Sequence, residues 1–271
     1  MVERSYKLRR ALEERINTTT EMRVLYSALP LGANAARNLG VSSSTGDIVA
    51  FVDDDAFLDS NWSEALLEAY QDESVLGVTG PIIPIWEDQS TSWWPRQLEW
   101  VIGCTGWTGF ETRRAVRGVL GTNATFRRSA LHPSPFNETL GPKEHRFSER
   151  REWGEMGEET ELSLRIRATN GGTVMYDPGV IIYHEVPRFK TTLAYLAQRA
   201  YQVGRTKKMI KRLNKYEQND LLGPEIILLR NLLTNIIMPW LQKESPRNYF
   251  RTVLFIAVSV AFVGMGYEAP R

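Results

Sequence analysis

GANAARNLGVSSSTGDIVAFVDDDAF (residues 32–57) passes from small residues to a solid apolar run and stops in three aspartates. ANAARNLGVSSS (33–44) predicts a helix built of small residues, closed by a loop at Gly46. DIVAFV (47–52) is continuous rather than alternating and holds β-branched residues, the pattern of a parallel strand buried on both faces. Asp53, Asp54 and Asp55 then fall at the carboxyl end of that strand, where open α/β sheets bind their ligands. Three adjacent carboxylates repel one another unless solvent or a cation compensates. Oxygen donors of this kind suit Mg²⁺ or Mn²⁺ together with substrate phosphates. The plainer alternative is an exposed acidic turn or a cap for the following helix.

On either side of this stretch, helical and strand patterns alternate. Leu8, Leu12 and Ile16 predict a helix over 3–16, and RVLY (23–26) a short strand. A helix is expected over 61–71, strands over 75–79, 173–176 and 180–184, and a longer helix over 190–214. RGVLGTNATFRR (117–128) reads as a strand or hairpin. The segment 86–118 is irregular and carries Trp86, Trp93, Trp94, Trp100 and Trp107, which suit sugar stacking, a membrane interface or plain core packing. The alternation predicts an α/β fold with helices on both faces of the sheet. No internal repeat or low-complexity tract interrupts it.

A second acidic cluster lies in REWGEMGEETELSLRI (151–166). Glu158 and Glu159 open a predicted helix over 158–169 whose inner face carries Leu162 and Ile166. Glutamates are favoured in a first turn by the helix dipole alone. Held near a substrate site, one of them can also take a proton from a hydroxyl nucleophile. His184 ends the VIIYH strand, again at a carboxyl end, where it serves either as a structural histidine or as a ligand.

The 271 residues suffice for one or two domains at roughly 150 residues each, with a sizeable core. Cys104 is the single cysteine, which excludes an intramolecular disulfide and a cysteine-rich zinc site. The net charge of +1 argues against a chain given over to nucleic acid. It conceals an uneven distribution: residues 199–251 hold eleven Lys/Arg against four Asp/Glu, a local +7 that the acidic body before it offsets. RTKKMIKRLNK (205–215) is the densest basic run, LLGPEIILLRNLLTNIIMPWL (221–241) is strongly apolar, and TVLFIAVSVAFVGMGY (252–267) is uncharged. At 1.5 Å per residue the uncharged segment makes a helix of about 24 Å, short of the roughly 30 Å hydrocarbon core unless flanking residues such as Arg251 snorkel. A short span, an interfacial hairpin and a buried core helix are the three outcomes to distinguish. Basic residues beside an apolar segment fit the cytoplasmic face and anionic headgroups. Met1 leads into the charged YKLRRALEERI and not an apolar core, so no signal peptide is expected.

Taken together, residues 23–206 resemble the family 2 glycosyltransferases of the GT-A fold. Residues 32–57 are similar to the family's small-residue helix, strand and DxD element. GTNATFRRSAL (121–131) is similar to its Gly-x-Asn hairpin, GEETELSLRI (157–166) to the ED element that supplies the base, and YHEVPRFKTTLAYLAQRAYQVGRTK (183–207) to its His-containing strand end and following helix. The resemblance implies inverting transfer of one sugar from a nucleotide-diphospho-sugar. Asp53 and Asp55 would hold Mg²⁺ or Mn²⁺ on the diphosphate, with Asp53 and Asp54 also on the donor. Glu159 would be the base, with Glu158 as its rival. Asn34 and Arg37 would lie beside the nucleotide, Gly121, Thr122 and Asn123 on the sugar side, and His184 near the diphosphate or metal. Within the family the chain is similar to archaeal dolichyl-phosphate glucuronosyltransferases, which implies UDP-glucuronate as donor and a lipid-linked or glycan acceptor at the cytoplasmic face of the cell membrane.

Three departures from the family pattern bear on function. The base position is Glu, one methylene longer than Asp. The Q-x-x-R-W element of processive synthases is replaced by QRAYQVG (198–204), which favours addition of a single sugar. The family's opening strand–helix–strand, which shapes the nucleotide-base pocket, is expected to precede residue 1. The expected organisation is thus a GT-A catalytic domain over 1–190 lacking that opening unit, and basic and apolar membrane-associated helices over 191–271. The alternative to an enzyme is a non-catalytic, membrane-associated interaction protein derived from this fold.

Overall fold

A computed structural model describes residues 23–27, 31–132, 135–140, 157–213 and 246–269. The helix expected over 3–16 and the apolar stretch 221–241 lie outside the described residues. The strand expected at 23–26 is reduced to a single bridge residue, Leu25.

Helix α1 (Ala33–Ser43) leads into β1 (Ile48–Phe51), and the acidic turn separates β1 from β2 (Ala56–Leu58). Helix α2 (Trp62–Ala69), β3 (Val75–Thr79) and β4 (Ile82–Trp86) follow. Three 3₁₀ turns carry the tryptophan-rich segment to β5 (Arg114–Val116) and β6 (Ala124–Arg127). The chain resumes with α3 (Glu158–Asn170), β7 (Thr173–Tyr176), β8 (Ile182–Val186), α4 (Leu193–Leu213) and α5 (Pro246–Glu268).

The strands form two mixed sheets, one of five strands in the order β1-β6-β3-β7-β5 and one of three in the order β2-β8-β4. β3 lies between an antiparallel partner, β6, and a parallel one, β7. All five of its residues are buried, because both faces of the sheet are covered. On one face, α2 buries Trp62, Leu66 and Ala69 against Val75, Val78 and Ile182. On the other, α3 lays Leu162 and Ile166, one helical turn apart, on Leu76, Phe126 and Val174. Helices on both faces of a mixed sheet make this a GT-A-like architecture. Of the strand or hairpin expected over 117–128, the strand forms as β6, preceded by an isolated antiparallel bridge between Leu120 and Asn123.

A third apolar cluster joins the small sheet to the C-terminal helices. Trp94, Leu98, Val101 and Ile102 from the irregular segment pack with Val186, Leu196, Phe255 and Ile256. Core packing therefore accounts for Trp94, with Trp86, Trp93 and Trp100 partly buried against the same cluster. α5 lies along α4: Gly204 and Gly266 each abut the backbone of the opposite helix, where a Cβ would collide. Such small residues let two helix axes approach closely. Lys208 closes the pair by donating from Nζ to the carbonyl of Ala269 at 2.9 Å, at the carboxyl end of α5. The outer side of α5 remains apolar and exposed at Phe250, Leu254, Ala257, Val260 and Met265.

Candidate active site

The register of β1 and β6 builds the first half of the site. Phe51 stands opposite Ala124, and continuing that antiparallel pairing by two residues sets Asp53 opposite Thr122. The Thr122 hydroxyl donates to Asp53 Oδ2 at 3.0 Å. The turn before β6 is closed by the Asn123 amide donating to the Leu120 carbonyl. On the other side of the acidic turn, β2 pairs with β8 so that Ala56 faces His184. Asp55 Oδ1 then lies 3.3 Å from His184 Nδ1. Lys190, carried by the 3₁₀ turn Arg188–Thr191, completes the group. Its Nζ is 3.2 Å from His184 Nε2 and 3.9 Å from Asp55 Oδ2. Burial, reinforced by the Lys190 charge, pulls the His184 imidazole below its usual range against the opposing pull of Asp55. Burial likewise lowers Lys190, and Asp55 resists it.

The second half is the amino end of α3. Gly157 precedes it in the left-handed region, at φ +98°, and would press a Cβ into Thr206 of α4. Glu158 and Glu159 follow beneath α1, with side chains only 6% and 14% exposed. Arg37 of α1 spans both: Nη1 donates to Glu158 Oε1 at 3.0 Å, and Nη2 lies 3.2 Å from Glu159 Oε1. Burial comes first, then the adjacent Glu158 charge, in raising the Glu159 carboxyl to about 7, while Arg37 acts against them and Asp53 adds to them. Glu158 Oε2 is buried without a hydrogen-bond partner. Gly121 bridges the two halves: a Cβ there would lie 3.9 Å from Glu159 Oε1, one residue from the Thr122 that holds Asp53.

Residues 5–133 match the model of the glycosyl transferase family 2 domain. The chain is a glycosyltransferase with a family 2 domain. It is 25% identical over 246 residues to a glucosyl-dolichyl phosphate glucuronosyltransferase of Haloferax volcanii, covering 87% of this chain and 74% of that protein. It is 28% identical over 200 residues to the succinoglycan biosynthesis protein ExoM of Rhizobium meliloti, covering 73% of this chain and 59% of the relative. The fold is shared with the mannosyltransferase PcManGT of Pyrobaculum calidifontis, solved in complex with GDP-Man and Mn²⁺. That likeness has a TM-score of 0.59 and 16% identity, covering 98% of this chain and 76% of that one. These likenesses favour the enzyme over the non-catalytic alternative.

In this glycosyltransferase, Asp53, Asp55, Gly121, Thr122, Glu158, Glu159 and His184 are brought together, and Asp54 sits exposed on the same turn. Three side chains are committed elsewhere. Arg37, expected beside the nucleotide, has its guanidinium on the two glutamates. Asn34 Nδ2 donates to the carbonyls of Asn137 and Leu140, tying that loop to α1. Asn123 is wholly buried, donating from Nδ2 to the Val180 carbonyl at 2.7 Å and accepting from Trp62 Nε1 at 3.2 Å, so its side chain belongs to the core rather than the sugar side. Sequence reasoning missed Lys190. Its one signal was a cation six residues beyond His184, which stands in the middle of β8 and not at a strand end as expected.

Among the described residues, no group of three or more His, Cys, Asp or Glu converges on a metal position. The donor set nonetheless fits a divalent ion. His184 Nδ1 is a buried ring nitrogen without a directed hydrogen bond, 3.3 Å from an oxygen of Asp55. Ligands about 2.0–2.1 Å from a six-coordinate ion stand about 3 Å from their neighbours, close to that spacing. Asp55 is 41% exposed and Asp53 exposed, so both have lone pairs open to the solvent side.

Proposed function

We propose that this glycosyltransferase moves one sugar, with inversion, from a nucleotide-diphospho-sugar to a lipid-linked acceptor, with Glu159 as the base. The observation that carries this reading is the buried, Arg37-bound Glu159, raised to about 7 and facing Gly121 beside the acidic turn. A base with a pKa near the working pH balances proton affinity against the fraction ionised. Glu159 takes the proton of the acceptor hydroxyl. The freed oxygen attacks the anomeric carbon from the face opposite the diphosphate, and the bond from that carbon to the diphosphate oxygen breaks. The nucleoside diphosphate leaves with the bonding pair. Asp53, Asp55 and His184 are the residues that would hold Mg²⁺ or Mn²⁺, which supplies Lewis-acid charge for the departing diphosphate. Lys190 adds a fixed protein cation on the same side. Glu158 keeps Arg37 oriented and sets the charge that Glu159 senses.

The relative from Haloferax volcanii supports a glucuronosyl donor, such as UDP-glucuronate, and a dolichyl-phosphate-linked acceptor. Membrane association is supported by α5. Phe250–Glu268 has a mean hydropathy of 1.7, and 22% of its apolar window is buried, which supports a membrane contact over a buried core helix. The catalytic unit, 1–190, would then stand at the cytoplasmic surface of the cell membrane, with the section 191–271 against the lipid.

The test incubates the full chain with labelled nucleotide sugars and a glycosylated dolichyl phosphate, and follows label into the lipid phase. Transfer from UDP-glucuronate that stops on chelation and returns with Mn²⁺ or Mg²⁺ is the expected result. Glu159→Gln is expected to lower kcat by about 10²–10⁴-fold, the range for a lost general base. Full transfer by Glu159→Gln together with loss in Glu158→Gln would exchange the two roles.

A further inference from the structure

The turn that brings Lys190 to the active site also lines a cavity of about 530 Å³ that contains none of the site's carboxylates. Its walls come from the turn Gln89–Thr91, the turn Arg188–Thr191 and the amino end of α5. Ser90, Thr91, Trp93, Arg188, Thr192 and Arg251 face it. Thr91 and Thr192 donate their hydroxyl protons to nearby backbone carbonyls, so the strong donors left are the two guanidinium groups.

Arg251 lies over Trp93, with its guanidinium carbon 3.6 Å from the ring centroid. Among the described residues no carboxylate pairs with it, so its planar fork is oriented by the indole and open to a ligand. Arg188 is 76% exposed, with its Nε 3.6 Å from Asp88 Oδ2. Asp88 does not line the cavity, and its other oxygen accepts the Ser90 amide at 2.8 Å. Two guanidinium groups facing one cavity match a phosphate, which each can grip through paired N–H donors.

The surroundings are apolar. Phe250 and Leu254 flank Arg251 on the outer side of α5, Phe189 lies within the Arg188–Thr191 turn and Leu193 just after it, and all four are exposed. An aromatic ring and cations beside exposed apolar side chains are the composition of a protein surface at the headgroup level of a bilayer. We propose that this cavity takes the phosphate ester of a membrane phospholipid between Arg188 and Arg251, with the lipid chains lying against Phe250 and Leu254. The site thereby sets the height of the Arg188–Thr191 turn, and with it Lys190, over the lipid surface. The proposal rests on the membrane reading above and adds the group that is recognised and where.

Flotation of the full chain with vesicles tests it, comparing neutral phosphatidylcholine with the same lipid containing about one fifth phosphatidylglycerol. The wild type is expected to favour the anionic vesicles. Arg188→Gln with Arg251→Gln is expected to cut that preference about tenfold or more, the scale of two cations removed from an anionic surface. Arg188→Gln alone, at an exposed position that does not threaten the fold, is expected to cut it about threefold. Lys211→Gln with Arg212→Gln, which removes two cations from α4, is expected to change it less than about twofold. An unchanged preference in the Arg188/Arg251 variant, or an equal loss in the α4 variant, overturns the site while leaving membrane binding intact. Binding of inorganic phosphate in solution that both arginine substitutions abolish, with vesicle binding unaffected, makes it a free-phosphate site instead. No binding of the wild type to either vesicle sinks the membrane reading itself.

Discussion

Asp53–Asp55 sit on a turn open to solvent, whereas Glu158 and Glu159 sit beneath a helix with a single arginine across them. Water reaches the aspartates, with Thr122 orienting Asp53 and His184 and Lys190 beside Asp55. The glutamates have lost most of their water, so the fold must supply a cation or leave a proton behind. Arg37 does the first and the raised Glu159 carboxyl does the second. One chemical group thus serves two purposes: an exposed set suited to a divalent ion and a buried pair suited to proton transfer.

Breaking the buried pair should cost the most. Arg37→Met is expected to destabilise the fold by about 2–4 kcal/mol, since it strands two carboxylates out of water while the arginine itself is partly solvated. Urea unfolding measures this, and a loss well below that range would mean the pair is hydrated. Next comes pH. Because burial lifts Glu159 from 4.5 to about 7, the folded state holds its proton more tightly than the unfolded chain does. The stability this contributes is complete below pH 4.5 and is lost as pH rises through about 7. Glu159→Gln removes that loss, so its Tm at pH 8 is expected to exceed the wild type by about 2–6 °C. Over the same interval the transfer rate of the wild type should rise with pH as the base ionises. The smallest effect belongs to the open turn. Asp54→Asn is expected to move Tm by no more than about 1 °C, as surface substitutions do. A larger shift would show that the turn is less independent of the core than its exposure suggests.

Much of this was legible in the sequence because the signals are local. The apolar run before Asp53 marked β1, although β1 runs antiparallel to β6 with only Val49 buried. The spacing of Leu162 and Ile166 marked α3, and VIIYH marked β8, although His184 stands at the middle of that strand and not at its end. What escaped depended on partners far along the chain. β2 and β4 are short strands whose pairing with β8 has no local pattern, and β5 sits in a segment that reads as irregular. Asn34 and Asn123 look like ligand groups until the carbonyls of residues more than 50 positions away take their amides.

The sequence by itself determined where charge would gather and which elements would carry it: acidic residues at the carboxyl end of β1 and the amino end of α3, basic residues along α4, apolar ones along α5. Periodicity and composition act over a few residues, so they are readable in one dimension. Tertiary structure alone decided the state of those charges. Arg37 and Glu159 are 122 positions apart, and only the packing of α1 over α3 removes the water between them and raises the carboxyl. Likewise, only the docking of α5 against the tryptophan-rich segment brings Arg251 onto Trp93 and within one cavity of Arg188. Desolvation and proximity are properties of the folded arrangement, and they turn a list of charged residues into a site.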